Sequence, residues 1–217
     1  MRYPPTFSAF RHPPSPLREA GNLLVFLMMI LTMLCALLAF GVDAAAVISQ
    51  KMTQENALNS VRELRMSPII TLEAKNSNDP GGLIARTFAK SLRQQGYAGT
   101  IEVWFHEVDR AEGKLPINVR VYAYEVVVSD LCDPAFSRTF GVREIPVTSC
   151  LVTSSAPYAE FEAWRPPIVR SGVFRLEAQK SPAHLSFTTA SLAHMPSGIR
   201  TELATRIDNA NQHDTKG

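Results

Sequence analysis

The chain has 217 residues, with 22 basic and 20 acidic side chains and a formal net charge of +2. That balance excludes a polyanion-binding surface set by bulk charge, and no basic stripe supports a nucleic-acid partner. Hydrophobic residues make up 46%, which is ordinary for a folded protein, but much of that share sits in one early block.

Residues 1–21 come first. Five prolines in MRYPPTFSAFRHPPSPLREA remove backbone donors and fix φ, so the sequence predicts a disordered leader on the cytoplasmic side. Leu23 to Val42 follows, twenty residues with no charge and Thr32 as the one hydroxyl. As a helix it would reach about 30 Å, the thickness of a bilayer's hydrocarbon core. Its transmembrane ends are therefore placed at Leu23 and Val42. Arg2, Arg11 and Arg18 precede the run, and Lys51 is the first basic residue after it. The positive-inside rule puts the N-terminus in the cytoplasm and the rest outside. A cleaved signal is the rival reading, with Ala44–Ala46 as small residues at the cleavage position.

No proline interrupts residues 22–66, so the span is expected to continue as one helix. Ile48, Met52, Leu58, Val61 and Leu64 mark its apolar face beyond the membrane. Ser67 and Pro68 end it. The stretch AKNSNDPGG, residues 74–82, reads as a turn-rich linker. Asp79 caps a second helix running to Gln95, and Gly96 stops it.

The remainder reads as strands. Thr100–Val108 alternates, Ile117–Ser129 alternates and then becomes continuously apolar, and AEGKLP connects the two. Further strands are expected at Ile145–Thr153, Ala159–Trp164 and Gly172–Ala178, with prolines punctuating them at edges and loops. Pattern is lost from Ser181, and residues 197–217 form a polar tail expected to fray. The fold class is α+β. It has a long N-terminal transmembrane helix that continues outside, a second helix and a small antiparallel head sheet over residues 67–196.

Cys132 and Cys150 are the two cysteines of the exported part, and an even pair in an oxidising compartment predicts a disulfide, with two free thiols as the alternative. No catalytic, cofactor-binding or metal-ligating constellation stands out. The five histidines show no paired spacing, and the chain carries neither a phosphate-cradling loop nor a nucleophile elbow. His106, between Phe105 and Glu107, reads as a surface strand residue. No enzyme activity and no cofactor are expected.

Arg18, Gly21 and Asn22 at the start of the run, Asp43 and Ala44–Ala46 after it, then Gln54, Asn56 and Ala57, resemble the N-terminal region of TadE/TadG-like proteins of Tad (Flp) pilus-assembly systems. The resemblance spans about 45 residues of the N-terminal region. It implies a minor-pilin-like subunit or assembly factor of a bacterial inner membrane, with the membrane and other pilus or secretion subunits as partners. The position five residues after Gly21 is Phe26, where processed prepilins carry a glutamate. A different class of function is a membrane-anchored binding module. It would take a peptide or glycan on a face formed by Trp104, Tyr122, Tyr124, Tyr158, Phe161 and Trp164.

Overall fold

A computed structural model describes residues 16–109, 113–115, 120–155 and 171–214. Helix α1 runs Pro16–Arg65 without a break. It begins earlier than expected, because Pro16 stands at its start, where a missing N–H costs nothing, and no proline follows within it. The leader's other residues, 1–15, lie outside the described residues. Among the described residues this is the one helix long and apolar enough to cross a membrane, and none of that apolar window is buried within the protein.

Helix α2, Pro68–Asn76, was not expected. It takes the first part of the stretch read as linker. Helix α3, Pro80–Gln94, starts as the sequence indicates: Asp79 Oδ1 accepts from the Gly82 N–H at 3.0 Å. It ends at Gly96, whose φ of +83° is the left-handed conformation open to glycine. Gly96 N–H donates to Arg93 O and Tyr97 N–H to Leu92 O, each at 3.0 Å, which completes a Schellman closure.

Five antiparallel strands form one sheet in the order β3-β2-β1-β4-β5. They are β1 Thr100–Glu107, β2 Tyr122–Cys132, β3 Ile145–Ser154, β4 Gly172–Leu176 and β5 Ser186–Thr189. β1 pairs with β2 through Val103↔Val126 and with β4 through Val103↔Phe174. The fifth strand lies in the stretch without clear pattern. The strand expected at Ala159–Trp164 lies outside the described residues, as do Ile117 to Val119. Pro146 sits on β3, an edge strand, where a ladder donor is dispensable.

Each face of the sheet carries its own core. On one, α1 and α3 contribute Leu58, Val61, Ile84, Phe88 and Leu92 against Ile101, Phe105, Tyr122, Tyr124 and Val126. Helix α3 approaches so closely that a Cβ on Gly81 would stand 2.7 Å from the Phe105 ring. On the other face, Met195, Ile199 and Leu203 cover Val108, Val121 and Ala123. Ile199 and Leu203 belong to α4, Ser197–Asp214, so most of the tail expected to fray is a helix. Three apolar positions four residues apart (199, 203 and 207) suffice to seat it, and its remaining polar surface hides that stripe in composition. Being covered on both faces explains why β2 is buried continuously from Tyr122 to Val126.

Two arginines tie the layers together. Arg93 donates to the carbonyls of Tyr97, Gly99, Glu177 and Lys180, joining the end of α3 to the turn before β1 and to the connection after β4. Arg120 forms a buried ion pair with Glu107 and also donates to the carbonyls of Lys75 and Ser77, at 2.6 and 2.7 Å. The planar guanidinium suits both roles, because it presents five donors in a fixed fork.

Candidate functional site

The junction between the bare apolar half of α1 and the head holds a set of buried polar contacts. The face of α1 turned to the head is Asp43, Val47, Gln54, Ala57, Leu58, Val61 and Leu64, a stripe at helical spacing that begins at the first residue after the apolar run. Ile48 and Met52, expected on that face, point away and are exposed. The true face is polar at its lower end because it meets backbone groups and serine hydroxyls there rather than apolar side chains.

Asp43 makes the first of these contacts. Only 4% of it is exposed. Its carboxylate accepts from the Ser137 hydroxyl at 2.5 Å, and from the backbone N–H groups of Ala135, Phe136 and Ser137 at 2.8, 3.1 and 2.6 Å. These successive amides lie in the connection between β2 and β3 and form a concave anion-holding turn. The Ser137 hydroxyl, opposed by desolvation and reinforced by the three amides, holds the Asp43 carboxyl below the ordinary carboxylate range.

Two turns further on, Lys51 Nζ donates to Thr148 O at 2.6 Å. Gln54 is fully buried, donates to Val147 O at 2.8 Å and accepts from the Ser149 hydroxyl at 3.0 Å. All three partners belong to edge strand β3. The helix is thus fastened to that strand by polar contacts with two carbonyls and one hydroxyl. Asp43, Gln54 and Ala57 are among the positions that carried the family resemblance. Asn56, another of them, is exposed.

The expected disulfide is not formed. Cys132 lies opposite Ile145 and Cys150 opposite Val127. Along the ladder that is a displacement of five residues, about 17 Å, against a Cα limit near 7 Å for a bridge. An odd displacement also puts the two thiols on opposite faces of the sheet. Both are free, Cys132 buried and Cys150 exposed. Partial desolvation on the sheet face, together with the neighbouring Glu125 carboxylate, pushes the Cys150 thiol up, which disfavours the nucleophilic thiolate.

The other chemistry-bearing residues are dispersed. His106 Nδ1 lies 2.5 Å from the Ser171 hydroxyl beside β4. Ser154 donates to Glu202 and accepts from Arg206, both at 2.6 Å, which fastens α4 to β3. Among the described residues no three His, Cys, Asp or Glu side chains group to hold a metal. Tyr122 and Tyr124 belong to the core under α3 and stack at 6.5 Å, so they are unavailable to a ligand-binding aromatic face. Trp104 is half-buried near α4, and Tyr158, Phe161 and Trp164 lie outside the described residues.

Compared with protein-family models, with curated proteins and with solved structures, the chain matches none.

Proposed function

We propose that this protein is a membrane-anchored, non-enzymatic component of a bacterial pilus or secretion assembly, of TadE/TadG-like type. In this reading its N-terminus is cytoplasmic and its head lies outside the inner membrane. The observation that carries the reading is the unbroken α1. One 50-residue helix holds the whole apolar run at one end and is fastened to the head along the other. Force or position applied to the apolar half is transmitted to the head without a hinge, which a simple tether does not require.

A second feature supports the same reading. Ile48 and Met52 are exposed above the apolar run, so the uncovered apolar surface of α1 continues past Val42 on the side away from the head. A neighbouring helix packed along the span would also cover them. The resemblance at Asp43, Gln54 and Ala57 points in the same direction.

The test is site-specific photocrosslinking in the native cell, from Leu27 within the run and from Met52 above it. Adducts with a pilus or secretion subunit are expected from both positions. Recovery of lipid and unrelated proteins alone would overturn the proposal.

A further inference from the structure

The connection between β2 and β3 is held at a fixed height. Asp43 follows Val42, the last residue of the apolar run, and its carboxylate grips the amides of residues 135–137. At about 1.5 Å of rise per residue, the connection is therefore tied to within a turn of the end of the run.

That connection exposes large apolar side chains of its own. Phe140 is 82% exposed, Phe136 and Val142 are also exposed, and so is Leu131 near the end of β2. Within residues 133–144 the charges of Asp133, Arg138, Arg143 and Glu144 cancel, and Arg138 pairs with Asp133 at 2.7 Å. The surface is thus an apolar one without net charge, placed where hydrocarbon gives way to headgroups.

Resting on the reading of α1 as a membrane anchor, we infer that the 133–144 connection is a second membrane contact, with Phe136, Phe140 and Val142 immersed in the outer interface of the bilayer that holds α1. Aromatic and aliphatic side chains settle there, while the Arg138 and Arg143 stems snorkel toward phosphates. Asp43 sets the depth, because it links the connection to the helix at the boundary itself. The head then rests on the membrane at two points, with a fixed tilt.

The experiment uses the full chain in phosphatidylcholine vesicles containing acyl-brominated lipids, which quench tryptophan by contact. Trp104→Phe and Trp164→Phe provide the background. Leu31→Trp reports the middle of the run and Phe140→Trp the connection. Phe140 is open enough that the substitution leaves the fold undisturbed. A chain retaining Trp104 alone serves as the distant control, since Glu125, its partner on β2, lies seven residues from Cys132, roughly 24 Å along the strand.

Loss of emission is expected at both 31 and 140. Bromines near the headgroup should be the stronger quenchers at 140 and deep bromines the stronger at 31, with Trp104 unchanged. Quenching at 31 without quenching at 140 would overturn this inference and leave the anchor intact. Absence of quenching at 31 would overturn the anchor reading, and this inference with it.

Discussion

Asp43 and Ser137 stand 94 residues apart and share two hydrogen bonds, one from the Ser137 hydroxyl at 2.5 Å and one from its backbone N–H at 2.6 Å. An acidic residue after an apolar run would ordinarily be read as a boundary marker facing water. Here it is a buried acceptor that fixes the head against the helix.

The first prediction concerns that contact. The carboxyl of Asp43 is held below its ordinary value of 3.8, so the stability it contributes is present at neutral pH and is lost as pH falls through the depressed folded-state value. Asp43→Asn removes the charge at every pH. Thermal unfolding in detergent should show a lower Tm for the variant at pH 7, with the gap closing at strongly acidic pH. Trypsin should also cut at Arg138 and Arg143 faster in the variant. A Tm gap independent of pH would contradict the role assigned to the charge.

The second prediction concerns Glu107 and Arg120. Removing one partner of a buried ion pair strands the other charge, at a cost of about 3–5 kcal/mol. Glu107→Ala should therefore lower the urea midpoint strongly. The double change Glu107→Leu with Arg120→Met should recover a large part of that loss, less the two hydrogen bonds that Arg120 gives to Lys75 and Ser77. Additive losses in the double variant would show that the pair is not coupled.

Legibility in the sequence follows a physical division. Elements whose burial shows as apolar period were readable: the membrane-length run, α3 with its Asp79 cap and Gly96 stop, β1, and most of β2, β3 and β4. The face of α1 is not legible in apolar period, because Lys51 and Gln54 satisfy carbonyls and a hydroxyl on β3, and polar contacts leave no hydrophobic period. Helix α4 is hidden for a related reason. Ile199 and Leu203 are buried among strongly polar neighbours, and the composition looked like a loose tail. The clip at Asp43 joins two segments 92 to 94 residues apart, a pairing that no local pattern encodes. The family resemblance did single out Asp43 and Gln54, without indicating what they touch.

The third prediction concerns the cysteines. Because Cys132 and Cys150 are separated along the ladder, the protein should run identically with and without reductant. Native alkylation followed by mass spectrometry should modify Cys150, which is exposed, and spare Cys132, which is 6% exposed, until the head is unfolded. A 132–150 bridge in protein purified from its native source would contradict the β2–β3 register.

The fourth prediction concerns α4, which is the cover of the second core rather than a tail. Ile199 has no exposed surface and Leu203 has 3%, both against the face of the sheet that carries Val121 and Ala123. Truncating a buried Leu or Ile to Ala costs about 2–5 kcal/mol, from lost transfer energy and the cavity left behind. Leu203→Ala and Ile199→Ala should each fall in that range by urea titration. Arg206→Ala should cost less, because Arg206 and Glu202 are partly exposed, so water can substitute for part of the lost contact with Ser154. Deleting residues 197–217 should leave a head that associates through the uncovered face, read as a concentration-dependent rise in mass by light scattering. A deletion variant that stays monomeric with an unchanged midpoint would show that the sheet does not need this helix.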